Sequence, residues 1–219
     1  MDADAVEIRV LGCLLEKQRT TPDAYPLSLN ALRLACNQTT NRDPVVDHDE
    51  QTIRGALDRL SRKGWVRLAS GPGSRAAKYR HLLDQALGAS DAELPVLAVL
   101  MLRGAQTPGE LKARTDRLHV FGSLGEVETV LEGLIARDLV ARLARRPGRK
   151  EVRYRQLLGG DGEAAPAPAL ELDAGDVDRL DELERRVHAI EEKLSELLDS
   201  LPARRESHER DANTAPPTS

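Results

Sequence analysis

Apolar residues recur every three or four positions through much of residues 4–135, a spacing that predicts helices with one buried face. The clearest stripe follows Asp49 and consists of Ile53, Ala56, Leu57 and Leu60. Beyond it the period changes to two: WVRLA and AKYRHL alternate apolar and polar residues around the tip SGPGSR. This change of period predicts a helix followed by a two-stranded hairpin.

The same order of elements occurs twice in the chain. Residues 57–83 and 131–158 align over their length, so that Leu57 matches Leu131, Leu60 matches Leu134 and Trp65 matches Leu139. Tyr79-Arg80 likewise matches Tyr154-Arg155. Agreement at this many ordered positions indicates an internal duplication.

Cap residues divide each copy into three helices before its hairpin. In the first copy, we expect helices over residues 4–17 and 27–37 and a third starting after Asp49. In the second, Asp91 precedes the apolar run LPVLAVLML, and Thr107-Pro108-Gly109-Glu110 and Ser123-Leu124-Gly125-Glu126 are capping-box patterns. The fold predicted is α+β and mostly helical, with two tandem winged-helix domains at 1–84 and 85–158.

Two long signatures resemble a known family. VLGCLLEKQRTTPDAYPLSLNALRLACNQTTNRDPV and LRGAQTPGELKART, with LARRPGRKEVRY, are similar to the YceH-like family of bacterial proteins over about residues 5–158. The resemblance implies the tandem winged-helix fold and implies no particular activity. It places the C-terminal segment outside the shared core.

The remaining chain has a different composition. Residues 159–175 are rich in Gly, Pro and Ala, which predicts a flexible linker. In residues 176–201, apolar residues follow alternating three- and four-residue steps typical of a coiled coil: Leu180, Leu183, Val187, Ile190, Leu194 and Leu197. This stripe predicts either a homodimer through the helix or a helix folded back onto the second domain. Residues 202–219 are predicted to be disordered.

Charge distribution favours nucleic acid as a partner for the first two blocks. Lys and Arg exceed Asp and Glu by three in residues 1–83 and by two in residues 84–158, whereas residues 159–219 carry a net charge of −9. The third helix of a winged-helix domain often enters the major groove while the hairpin contacts the backbone. The predicted contacts with double-stranded DNA are Gln51, Arg54, Arg59, Arg62, Arg75 and Lys78 in the first copy and Arg145, Arg146, Arg149 and Lys150 in the second.

The second copy also supports a different function. Its third helix presents Glu126, Glu128, Thr129 and Glu132 outward, and carboxylates there repel phosphate. The leading hypothesis is a DNA-binding protein that acts as a transcriptional regulator, and the alternative is a protein-interaction module that does not bind DNA.

The sequence gives little reason to expect catalysis or a bound cofactor. Asp47 and Asp49 lie in an acidic loop, but capping of the following helix explains Asp49 without a metal. Cys13 and Cys36 lie in apolar helical patterns typical of buried, reduced thiols. Without a phosphate-binding loop, a nucleophile motif or a membrane-length apolar run, we expect a cytoplasmic protein that is not an enzyme and has no cofactor.

Overall fold

The computed structural model describes residues 3–69, 77–144 and 151–159. All of the described residues belong to one compact unit, and the chain from residue 166 onward is assigned to a second. The second unit lies outside the described residues, as do nearly all of the predicted linker and the predicted helix at 176–201 with its stripe of Leu180, Leu183, Val187, Ile190, Leu194 and Leu197. The described part is α+β, with short antiparallel sheets between helices.

The described residues of the first copy form α-helices, a 3-10 turn and short strands. Its elements are α1 (Ala5–Thr20), a 3-10 turn (Pro22–Ala24), β1 (Leu27–Ser28), α2 (Leu29–Cys36), α3 (Glu50–Arg62), β2 (Val66–Leu68) and β3 (Lys78–His81). The Asp49 side chain accepts from the Thr52 N–H at 2.7 Å, which confirms it as the α3 cap. Ile53, Ala56, Leu57 and Leu60 are all buried, as their spacing predicts.

A short helix, α4 (Leu83–Leu87), leads into the second copy, which contains α5 (Glu93–Arg103), α6 (Pro108–Thr115), α7 (Leu124–Ile135), β4 (Val140–Arg142) and β5 (Tyr154–Gln156). Thr107 and Glu110 form the complete capping box predicted for α6. The expectation of a second complete box at α7 is half right. Ser123 Oγ accepts from the Glu126 N–H, which is one half of the box. The Glu126 carboxylate accepts from the N–H of Gly122, the residue before the cap, and not from the N–H of Ser123 itself.

Equivalent backbone hydrogen bonds link the helix and hairpin of each copy. Trp65 N–H donates to Leu60 O at 3.0 Å, and Leu139 N–H donates to Leu134 O at 3.0 Å. These are the pairs that the sequence repeat aligns. The repeat in sequence therefore corresponds to a repeated pattern of backbone contacts.

The sheets extend this correspondence and also differ. In the first copy the strand order is β1-β3-β2, with Leu27 opposite Tyr79. In the second, β4 and β5 form a two-stranded sheet, and Gln106 forms an isolated bridge with Tyr154 at the place equivalent to β1. The prediction of a helix from residue 27 was therefore wrong at its first two positions, because their backbone pairs with β3.

Both copies contribute to one hydrophobic cluster, centred on α1 and α5. Gly12 on α1 permits a close approach: a Cβ there would lie 2.8 Å from Leu102 Cγ and 3.0 Å from Met101 Cβ on α5. The chain ends of the two copies also meet, since Ala3 N–H donates to Leu158 O at 3.0 Å. The two copies are thus packed against each other and not separated by a linker.

Candidate nucleic-acid interface

The outer face of α3 carries three of the side chains predicted to contact DNA. Gln51, Arg54 and Arg62 are all exposed, and a helix of 3.6 residues per turn places them along one stripe with Asp58. The opposite face of α3 is buried in the core. The helix is therefore held from behind while its polar stripe faces solvent.

A cleft of about 350 Å³ lies beside the first turn of α3. It is lined by the starts of α2 and α3 and by β3, including Asn30, Glu50, Arg54 and Tyr79. Arg54 Nη2 lies 2.8 Å from Glu50 Oε1, and both side chains are more than half exposed. An exposed pair of this kind contributes roughly 0.5 kcal/mol, so Arg54 can exchange Glu50 for another anion at small cost.

Arg59 has a different environment from its neighbours on α3. Its Nη2 lies 2.6 Å from Asp4 Oδ2, and its Nε lies 3.6 Å from Glu7 Oε1. Lys63 Nζ also lies 2.9 Å from Glu7 Oε2. These contacts connect the C-terminal turns of α3 to the capping box that begins α1, so the structure places Arg59 in an intramolecular ion-pair network.

The loop before α3 is fixed by polar contacts that fold back onto α2. The Asn37 side chain donates to His48 O at 2.8 Å and accepts from His48 N–H at 2.9 Å. Its amide also donates to Asp47 Oδ1 at 3.2 Å. Asp47 and Asp49 therefore have structural partners, and the described residues contain no cluster of His, Cys, Asp and Glu suited to a metal ion.

Two buried arginines hold the same loop, and sequence reasoning missed both. The Arg42 side chain is fully buried; its Nη2 lies 2.6 Å from Glu16 Oε2 and its Nε donates to Ala35 O. Burial opposes the charge on Glu16, but the hydrogen bonds from Arg42 outweigh it and leave the pKa of Glu16 below its ordinary value. Arg9 donates to Cys36 O and to Pro44 O. Each arginine satisfies carbonyl groups at the end of α2 or in the loop that leads to α3.

Of the remaining residues predicted to contact DNA, only Lys78 lies in the described part, at the start of β3 and paired in register with Ser28. The others, Arg75, Arg145, Arg146, Arg149 and Lys150, lie in the two hairpin tips outside the described residues. The structure therefore brings together the α3 residues and β3 and leaves the tip residues as predictions.

The equivalent face of α7 has opposite chemistry. Glu126, Glu128 and Glu132 are exposed on it, as predicted. Two apolar side chains at its N-terminal end are also exposed, Val120 by 71% and Leu124 by 45%. The two third helices thus present a mixed polar and basic surface in one copy and an acidic, partly apolar surface in the other.

A second cleft, of about 360 Å³, is lined by residues of α1, β3, α4 and α5 and contains the buried His81. His81 Nδ1 accepts from Leu83 N–H at 3.3 Å, so Nε2 carries the proton that is donated to Gln18 Oε1 at 2.7 Å. Burial lowers the pKa of His81 to about 4. All ring nitrogens have protein partners, which assigns His81 a structural role.

Comparison with known proteins places the chain among bacterial relatives. A family model described as "Protein of unknown function, DUF480" matches residues 3–149. A UPF0502 protein of Serratia proteamaculans is 48% identical over 206 residues, covering 90% of this chain and 96% of the relative. Another, of Pelobacter propionicus, is 51% identical over 201 residues, covering 87% and 91%.

The family model ends at residue 149, in line with a shared core made of the two copies, but the alignments with the relatives are longer. Residues 1–158 make up about 72% of the 219-residue chain, so an alignment that covers 90% of it extends into the C-terminal segment. The similarity is therefore not confined to the two copies.

No helix in the described part of the chain combines the length and apolar character needed to cross a bilayer.

Proposed function

The chain belongs to the DUF480 family, whose description names no activity, and for this member we propose that the first copy binds double-stranded DNA through α3. The observation that carries the proposal is the exposed stripe of Gln51, Arg54 and Arg62 on a helix whose other face is buried. Gln and Arg side chains suit base edges, and Arg suits phosphates. A role in transcriptional regulation is part of this proposal.

The arrangement of elements supports a winged-helix interpretation of both copies. In each, three helices precede an antiparallel pair of strands, and the residue just before the first of these strands donates a backbone hydrogen bond to the third helix. In such domains the third helix enters the major groove and the hairpin lies along the backbone. On this interpretation α3 reads the groove, and Arg75, Arg145, Arg146, Arg149 and Lys150 in the hairpin tips contact phosphates.

Arg59 is assigned a positioning role within this proposal. Its contacts with Asp4 and Glu7 orient the C-terminal half of α3 relative to α1. Arg54, in contrast, forms an exposed pair with Glu50 within the described part of the chain. DNA contact is therefore assigned to Arg54 and Arg62 before Arg59.

The test is fluorescence-anisotropy binding to a mixed-sequence duplex across a salt series. We expect micromolar affinity that falls steeply with salt, and a salt slope that decreases by about one for each phosphate-contacting Arg replaced by Ala. Arg54→Ala and Arg62→Ala should weaken binding. Arg19→Ala is the matched control, because it removes the same charge from a side chain paired with Asp91 away from α3.

Either of two results would contradict the proposal: no binding at low salt, or equal losses for Arg54→Ala and Arg19→Ala. A triple Arg145→Ala, Arg146→Ala, Arg149→Ala variant tests the second hairpin separately. Loss there with no effect at Arg54 would assign binding to the hairpin and not to α3.

A second candidate function, protein interaction, is favoured by α7. Its exposed Glu126, Glu128 and Glu132 disfavour DNA, and exposed apolar side chains beside charged ones are typical of protein interfaces. On this candidate the chain does not bind duplex DNA and co-purifies with a stoichiometric partner. Glu128→Gln with Glu132→Gln should weaken that co-purification, and a partner retained at the native level would contradict the role of α7.

Self-association is proposed on the sequence pattern of residues 176–201. A helix with the stripe Leu180, Leu183, Val187, Ile190, Leu194 and Leu197 pairs two chains through apolar contacts. Light scattering should give a dimer for the native chain and a monomer for Val187→Asp. A monomeric native chain would refute a homodimer.

A further inference from the structure

Glu50 places a negative charge at the start of the helix that is proposed to bind DNA. It is the first residue of α3, and its Oε1 lies 2.8 Å from Nη2 of Arg54, one helical turn further along. Both side chains are more than half exposed and line the cleft of about 350 Å³ beside this turn. A hydrogen-bond acceptor and a hydrogen-bond donor are thus presented to solvent side by side.

With Glu50 included, the polar stripe of α3 has no net charge. Its two carboxylates are those of Glu50 and Asp58. Arg54 and Arg62 carry the two opposite charges, and all of these side chains are exposed. A surface that only binds phosphates carries an excess of Lys and Arg. The polar stripe is therefore better suited to base edges, which present both donors and acceptors.

The first turn of α3 is held firmly in place. The Asp49 side chain caps it by accepting a backbone hydrogen bond of 2.7 Å, and Ile53 is fully buried behind it. The Asn37 side chain makes two hydrogen bonds with the backbone of His48, just before the cap. Because this backbone is already ordered, no ordering of the turn has to accompany binding, which favours selective recognition.

We propose that Glu50 and Arg54 together read one C·G base pair in the major groove, an inference that rests on the proposed binding of DNA through α3. Cytosine presents its N4 amino group in that groove, and a carboxylate accepts from it. Guanine presents O6 and N7, to which an arginine donates. Arginine has five N–H donors, so the hydrogen bond from Arg54 to Glu50 leaves others for guanine.

A phosphate is a poorer partner for this pair than a C·G base pair. Donation from Arg54 to a phosphate would bring the Glu50 carboxylate close to a second anion, and like charges repel. Contact with a C·G pair gives the carboxylate a donor and the guanidinium an acceptor. Both groups then keep their own ion pair and gain a base contact.

The experiment starts by selecting bound duplexes from a random-sequence library with the full-length chain. Each C·G pair of the selected sequence is then changed to T·A in turn, and fluorescence anisotropy measures the affinity for each duplex. At one position the change should weaken native binding roughly tenfold. Glu50→Ala and Arg54→Ala should each lose most of this preference.

Two controls remove the same charges from the same stripe. Asp58→Ala removes a carboxylate and Arg62→Ala a guanidinium, and both should keep the native ratio of the two affinities even where overall affinity changes. A carboxylate in the first turn also stabilises a helix through its dipole, so the ratio is compared and not the affinity alone. Circular dichroism establishes that each variant is folded.

The outcomes separate this inference from the proposed function. Binding of all duplexes with equal affinity, a preference that survives in Glu50→Ala, or an equal loss in Glu50→Ala and Asp58→Ala would overturn the reading of C·G by the pair. Each of these results would leave DNA binding by the chain in place. Failure to bind any duplex at low salt would overturn the proposed function, and the inference with it.

Discussion

Protonation of His81 should destabilise the fold as the pH falls below neutrality. His81 is 4% exposed, and its ring donates to Gln18 while accepting from Leu83 N–H. A second ring proton would break the Leu83 bond and place a charge in the core. Burial is the main cause of the low pKa; Asp84 opposes it, and Arg80 and Arg19 add to it.

The size of this loss of stability follows from the pKa of His81 in the unfolded and in the folded chain. The ordinary histidine pKa of 6.5 describes the unfolded chain, and the folded value is about 4. The unfolded state therefore binds the proton first, and stability that is complete above about pH 6.5 is lost progressively down to about pH 4. The full loss is roughly 3 kcal/mol, of which about 2 kcal/mol falls between pH 7 and pH 5.

Urea unfolding at pH 7, 6 and 5 measures this loss. Trp65, the single tryptophan, reports on the first copy by fluorescence, since it is 9% exposed and its carbonyl accepts from Leu82 N–H. His81→Gln is less stable at pH 7 but should lose about 2 kcal/mol less on acidification. His119→Gln should keep the native slope because His81 is still present. An equal slope in the native chain and His81→Gln would refute the reasoning.

Three further changes test packing, charge and capping by urea unfolding at pH 7. Gly12→Ala places a Cβ 2.8 Å from the nearest α5 side-chain atom and should cost about 1–3 kcal/mol, whereas Gly125→Ala, with only a contact at 3.8 Å, should be neutral or stabilising. Glu16→Gln leaves Arg42 charged and buried and should cost about 3 kcal/mol; a change below 1 kcal/mol would contradict the buried pair. Thr107→Ala removes the α6 capping box and should cost about 1 kcal/mol.

Local signals in the sequence predicted most helix boundaries. Asp49 and Thr107 lie within three residues of the amides that they cap, so the pattern and the structure contain the same contact. The two-residue strand β1 could not be predicted this way. Its partner Tyr79 is 52 residues away from Leu27, and two residues give no measurable alternation.

In the candidate site, too, features set by neighbouring residues could be predicted from the sequence, and features set by residues distant in the chain could not. Exposure of Gln51 and Arg54 follows from the apolar stripe on the other face of α3. The ion pair between Arg59 and Asp4 spans 55 residues, and nothing in the local pattern distinguishes Arg59 from Arg62. A buried charged residue such as Arg42 is still harder to predict, because its burial depends on a partner on another helix.

The sequence of α5 indicates that the two copies pack against each other, although the internal repeat suggests two separate domains. Residues 94–102 of α5 are all buried, and a helix that is apolar on every side must have neighbours on more than its own copy's face. Its partner α1 has a glycine, Gly12, at the point of closest approach. Packing within its own copy buries one face of α1 or α5, and contact with the other copy buries the opposite face. Because α1 and α5 share a core, α3 and α7 belong to one packed body, and a substitution at Gly12 should disturb both surfaces together.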